Sequence, residues 1–248
     1  MILHDIFQME KNCRFYCYKK TRAKNKIITK KQDKIKLIVF DMDGVIIDTV
    51  SSWKFIHDYF NTSNDHSVDE YLKGKIDDLE FIRRDALLWK ENGRLIKKQK
   101  LAEILTDVKL MKGCKECINI LKEHDIKTAI VSAGLDVLAD IVKKQVDFDY
   151  IYCNGVKTDK DNRITGEGIL QVQLMYKDKN VIELSKKLNI PFENIASVGN
   201  SCFDIPMFEV SGLGIAFNPS DECVKEAADV IVKEKDLLKI LPFINNIT

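Results

Sequence analysis

The sequence predicts an α/β fold, a doubly wound and mainly parallel sheet with a helical insert. Three observations predict it. Six short apolar runs recur between residues 35 and 232, helix-period segments stand between several of them, and one long stretch, 50–109, carries helical spacing without a strand run. A short run that is apolar on both faces suits a strand buried on two sides. Strands that alternate with helices imply parallel neighbours joined by right-handed crossovers.

In chain order, residues 11–36 hold eleven Lys/Arg against one acid, Asp33, so 1–34 reads as a basic, solvated N-terminal tail. Its charge also suits nucleic acid or an anionic surface, the less favoured reading. "IKLIVF" (35–40) is the first strand. Residues 50–109 open with Trp53, Ile56, Tyr59 and Phe60 at helical spacing and read as helices without strands, a helical insert. The core then resumes over 110–248, completing the part begun at 35–49. Its strands are "KTAIVS" (127–132), "FDYIYC" (148–153), "NIASVG" (194–199), "GLGIAF" (212–217) and "ADVIV" (228–232). "LDVLADIVKK" puts Leu135, Leu138, Ala139 and Val142 on one helical face; "NVIELSKKLNI" does so with Val181, Leu184 and Leu188, and Pro191 stops it. "KTDKDNRITGEG" (157–168) reads as the polar turn of a hairpin.

Composition removes several classes of function. A net charge of +1 offers no global field for nucleic acid. No apolar run approaches the roughly 20 residues that span a bilayer. The first residues, "MILHDIFQMEKN", lack the apolar region of a signal peptide, so a cytoplasmic protein is expected. Seven cysteines then read as free thiols. Cys13 with Cys17 and Cys114 with Cys117 have spacings that also suit zinc or redox chemistry, but Cys114 opens an apolar-periodic run, and burial on a helix face is the favoured reading.

The chemistry gathers at strand ends, where ligands of open parallel sheets sit. "DMDGVIIDT" places Asp41 directly after the first strand and Asp43 two residues on, with Gly44 allowing a tight turn. A carboxylate there can ligate Mg2+ or act as a nucleophile, and its neighbour can move protons. The pair also suits a helix cap. The next strand ends "VSAG", and Ser132, Ala133 and Gly134 could hold phosphate oxygens by a hydroxyl and the amides of a following helix. "GNSCFD" brings Asn200 and Asp204 to the same edge, and Lys177 and Lys179 precede the intervening helix. Hydroxyl, cation and acids together suit phosphoryl transfer with Mg2+. A Walker loop is absent.

These motifs, in this order, resemble those of the haloacid dehalogenase (HAD) superfamily and, downstream, its phosphoserine-phosphatase-like branch, over residues 35 to about 240. The resemblance implies a Rossmann-like core with an inserted helical cap at 50–109, and a Mg2+-dependent phosphatase of a small phosphorylated metabolite. Asp41 would form an aspartyl phosphate, Asp43 would serve as acid and then base, and Lys177, at the family's spacing from Asn200, would offset charge. Ser132, Ala133 and Gly134 would bind the phosphoryl group. Mg2+ would be held by Asp41, Asp43 through its carbonyl, Asn200 and Asp204.

Two departures from the family pattern stand out. Asn200 replaces an aspartate, which predicts weaker Mg2+ binding. Val50 and Asp85 occupy the places of a glutamate and an arginine that hold phosphoserine in the branch, which argues against that substrate; the adjacent Arg83 and Arg84 either meet an acidic substrate or lie on a solvated face. Two alternatives remain at this level: a sugar phosphomutase of the β-phosphoglucomutase type, whose first motif is similar, and a non-catalytic binding protein that keeps the fold.

Overall fold

The computed structural model describes residues 34–244 and 247. The basic tail, except Lys34, lies outside the described residues, as do Cys13 and Cys17.

Strand β1 (Leu37–Phe40) lies at the centre of a seven-stranded sheet of order β6-β5-β4-β1-β7-β8-β9. The others are β4 (Lys127–Leu135), β5 (Tyr150–Thr158), β6 (Ile164–Ile169), β7 (Ile195–Gly199), β8 (Leu213–Phe217) and β9 (Val230–Val232). Every pairing is parallel except that of β5 with β6. The alternation of strand side chains explains the unbroken apolar runs. Ile38, Phe40, Ile130, Ala196 and Val198 face one core, under Cys117, Ile118 and Leu121 of helix α5 (Cys114–Glu123). Leu37, Val39, Ala129, Val131 and Ile195 face the other, under Val181 and Leu184 of α7 (Asp178–Leu188). Cys114 and Cys117 are therefore core thiols, and burial pushes the Cys114 thiol up to about 12, far from a reactive thiolate at neutral pH.

The insert folds as helices α1 (Ser52–Tyr59), α2 (Asp65–Leu72), α3 (Asp78–Ala86) and α4 (Lys98–Leu105). Ser51 and Asp77 cap α1 and α3 by accepting bonds from the amides of Lys54 and Glu80. The expectation of helices without strands is corrected by a short antiparallel ribbon, β2 (Lys90–Glu91) and β3 (Arg94–Leu95). Its turn residues Asn92 and Gly93 both have positive φ, 50° and 74°, as a tight hairpin turn demands. The Asn-Gly pair was visible in "KENGRL", but its strands lack the apolar alternation that marks a sheet.

Two further boundaries differ from the sequence reading. β4 continues through Ser132 to Leu135, and helix α6 (Asp136–Lys143) starts only afterwards. Ser132 pairs with Cys153 and Leu135 with Asn154, so Ala133 and Gly134 form a bulge rather than the first turn of a helix. The polar segment 157–168 is mostly strand; the turn itself is 159–163, where one oxygen of Asp159 accepts bonds from the amides of Asp161 and Arg163.

Cap and core meet along β6. Helix α3 lies so close that a Cβ on Gly166 would come within 2.8 Å of Leu87 and one on Gly168 within 3.0 Å of Ile82. Lys98 of α4 pairs with Asp136 of α6 at 2.8 Å, and the amide of Ile164 donates to the Ile96 carbonyl. Gly166 also has φ of +85°, a conformation that L side chains resist. Gly166→Ala is expected to destabilise the protein by about 1–3 kcal/mol, because strain and overlap outweigh the stiffer unfolded chain; urea denaturation of the variant measures it.

Candidate active site

The C-terminal edge of the central strands carries the cluster. The amide of Asp41 donates to the Val198 carbonyl at 2.9 Å, which extends the β1–β7 pairing and fixes Asp41 at the strand's end. The chain then turns sharply, with the amides of Ile46 and Ile47 donating to the Met42 carbonyl. Gly44 takes φ of +79° there, and a Cβ on it would lie 2.3 Å from Nδ2 of Asn200. The tight approach of those two loops sets the Asn200 amide beside the Asp41–Asp43 turn.

Lys177, the residue before α7, is buried and joins two strand ends. Its Nζ lies 2.9 Å from Asp41 Oδ1 and 2.7 Å from Asp204 Oδ1. The other oxygen of Asp204 accepts bonds from the amides of Asn200 (2.8 Å) and Ser201 (3.0 Å). Asp204 is seated against Gly199, where a Cβ would fall 2.3 Å from its own Cβ. Lys179 lies within α7 rather than before it; its ammonium binds the Gln173 side chain and covers the Tyr176 ring.

Asp43 is held differently. Its Oδ2 accepts bonds from the amide (2.7 Å) and the hydroxyl (2.8 Å) of Ser52, the first residue of cap helix α1. The same hydroxyl accepts a bond from the Leu135 amide at the end of β4. Trp53 follows, its indole N–H donating to the Ala133 carbonyl at 2.9 Å. The sequence reading missed Ser52 and Trp53. "VSSW" announces a helix start, but a contact with an aspartate nine residues upstream has no local signature.

The β4 bulge adjoins this pair: a Cβ on Gly134 would lie 3.0 Å from Asp43 Oδ2 and 2.9 Å from the Ser52 hydroxyl. Ser132 is buried and its hydroxyl accepts from the Gly134 amide. With α6 starting at Asp136, no helix N-terminus begins at Ser132. The cap arginines are occupied within the cap, Arg84 by Glu70 and Glu80 and Arg83 by Glu80. Asp85 is buried, accepts from the Asn64 amide group and faces His57 at 3.4 Å. Val50 is 81% exposed.

Two carboxylates thus flank one ammonium in a buried space, with the Asp43 carboxylate held beside them by Ser52. Burial raises the Asp41 carboxyl to about 7, helped by the charge of Asp204 and opposed by Lys177. Burial also raises Asp43, against the two bonds from Ser52. Lys177 is raised: burial opposes its charge, but Asp204 and Asp41 outweigh that. Asp43 Oδ1 is buried with no hydrogen-bond partner among the described residues, and Asp41 Oδ1, though close to Lys177, is off the hydrogen-bond direction. A buried excess of negative charge with unsatisfied oxygens fits a hard divalent cation. Among the described residues no three His, Cys, Asp or Glu converge as ligands, so such a cation would also need the Asn200 amide oxygen or a main-chain carbonyl.

The haloacid dehalogenase-like hydrolase model matches residues 35–212, and the chain belongs to that family. It is a phosphoric monoester hydrolase of the family, a class in which a divalent metal is general. It is similar to a phosphoserine phosphatase of Archaeoglobus fulgidus, 31% identical over 82% of this chain and 58% of that one. A phosphoserine phosphatase of Methanocaldococcus jannaschii is 26% identical over 86% of this chain and 99% of its own length. Among solved structures, a phospho-aspartyl intermediate analogue of phosphoserine phosphatase superposes with a TM-score of 0.72 at 26% identity, covering 85% of this chain and 99% of that one. Among the described residues no helix is long and apolar enough to cross a membrane.

Two outcomes follow from the electrostatics. Lys177→Met leaves Asp41 and Asp204 buried without their cation and is expected to cost about 3–5 kcal/mol of stability, read by chemical denaturation. In metal-free protein, Asp41 binds its proton more tightly folded than unfolded, so stability falls as pH rises from the ordinary 3.8 to about 7 and is level above. Asp41→Asn is expected to flatten that slope in denaturation curves taken across the range.

Proposed function

We propose that the protein hydrolyses a small phosphomonoester through an aspartyl phosphate on Asp41. The observation that carries the reading is the buried ion chain Asp41–Lys177–Asp204 with Asp43 clamped beside it by Ser52. Asp41 attacks phosphorus, and the leaving alkoxide takes the proton of Asp43. The upward displacement of Asp43 by burial suits this, because a carboxyl must be protonated to act as an acid near neutral pH. Asp43, now ionised, then accepts a proton from water as that water attacks the acyl phosphate, which frees inorganic phosphate and restores Asp41. Lys177 offsets charge between nucleophile and phosphoryl group, and Ser132 with the Ala133–Gly134 bulge faces the phosphoryl oxygens.

Mg2+ supplies further neutralisation when bound, and Asp41, the Asp43 carbonyl and the Asn200 amide oxygen would hold it. Asp204 serves here as an anchor rather than a ligand, because both its oxygens are engaged, by Lys177 and by the amides of Asn200 and Ser201.

The relatives' activity supports phosphoserine as the substrate. A second reading, a monoester without an ammonium group, is favoured by the uncharged, exposed Val50 and by Asp85 turned to Asn64 and His57. The ratio of kcat/KM for phosphoserine to that for amine-free monoesters decides between them. The test of the whole reading is phosphate release from a panel of small phosphorylated metabolites with Mg2+. Turnover that vanishes in Asp41→Asn and drops about 10²–10⁴-fold in Asp43→Asn is expected. Inertness toward the whole panel would sink it, as would conversion of a sugar 1-phosphate to its 6-phosphate without phosphate release. Asn200→Asp restores one negative charge and is expected to lower the half-saturating Mg2+ concentration about tenfold, or about 1.4 kcal/mol; a Mg2+ titration of activity measures it.

A further inference from the structure

On the outer side of the cap–core seam lies a cleft of about 490 Å3 between the β2–β3 ribbon and the β5–β6 turn. Arg94 and Lys97 line it from the ribbon side, Lys160 and Arg163 from the turn, with Asp161 the one acid in its wall. Among the described residues, Arg94, Lys97 and Lys160 make no ion pair, although most lysines around them do: Lys98 pairs with Asp136, Lys100 with Glu91 and Glu103, and Lys157 with Glu167. Arg163 gives one N–H to the Leu95 carbonyl and keeps its remaining donors. Asp159, one of the two acids adjacent in sequence to Lys160, uses one oxygen to hold the turn's amides.

Four cations facing one concavity repel one another, and the fold keeps them there by main-chain bonds across the seam, Lys98 N–H to the Asn162 carbonyl and Ile164 N–H to the Ile96 carbonyl. We propose that this cleft binds a small polyanion, a molecule bearing two or more phosphate or carboxylate groups, at a site separate from the Asp41 centre. The volume is that of a small-molecule pocket rather than of a nucleic-acid groove. Arginine forks and lysine point charges are the groups that bind phosphate and carboxylate oxygens. Because the cations come from both sides of the seam, one bound anion turns repulsion across it into attraction and ties the ribbon to the core hairpin.

The probe is inorganic tripolyphosphate, titrated calorimetrically in Mg2+-free buffer at 0.1 M salt into the full chain carrying Asp41→Asn, which prevents turnover. Saturable binding with one equivalent dependent on the cleft is expected, with a rise in Tm. Lys97→Glu with Lys160→Glu should weaken that equivalent at least tenfold, and Arg94→Gln should weaken it less. Lys115→Glu with Lys233→Glu, exposed lysines outside the cleft, carries the same change in net charge and should leave it intact. Absence of binding, equal loss in both double variants, or tighter binding of a single-stranded oligonucleotide through the same residues would overturn the proposal. A protein that binds tripolyphosphate in this way yet hydrolyses no monoester would leave it standing while sinking the phosphatase reading.

Discussion

A single ammonium group, that of Lys177, holds the reaction edge together. It lies beneath the ends of β1 and β7 and touches an acid from each: Asp41 at 2.9 Å and Asp204 at 2.7 Å. An isolated buried lysine would surrender its proton. Here two carboxylates keep it charged, and it in turn limits the mutual repulsion of those carboxylates. Removing the lysine would leave both acids buried and unpaired, a costlier state than losing one of the exposed pairs elsewhere on the surface. The sheet supplies the stiffness this arrangement needs. β1 is hydrogen-bonded on both sides, and it pairs with both neighbours up to Phe40, the residue before Asp41.

The insert contributes to the site. Its first helix begins on Ser52, which reaches Asp43, and continues with Trp53, which reaches the β4 bulge. Its third helix rests on the glycines of β6. Asp43 is therefore oriented by a residue of the insert, whereas Asp41 is oriented by the core alone.

Much of this was legible in the residues. All six apolar runs are strands, since burial on two faces writes itself as an unbroken apolar string, and the two helices with clean periodicity lie within two residues of their expected bounds. The four motifs converge because strand order, not side-chain detail, brings 41, 132, 177 and 200 to one edge. What escaped was non-local or weakly patterned. The ribbon at 90–95 has charged strands. The bulge at Ala133 and Gly134 depends on a register slip against β5. Ser52 acts across nine residues. The choice between Lys177 and Lys179 came from the family's spacing; in the fold the two face different surroundings, because one precedes the helix, buried, and the other lies on its exposed surface.

The hydroxyl of Ser52 has one hydrogen and gives it to Asp43, while its lone pair takes the Leu135 amide. Cap helix, bulge and carboxylate are thereby latched at a single atom. Displacing Ser52 would break both links together with its main-chain amide bond to Asp43, freeing the carboxylate's torsion and the strand end beside it. In the proposed reaction Asp43 is therefore aimed only while Ser52 stays seated between the carboxylate and the strand end.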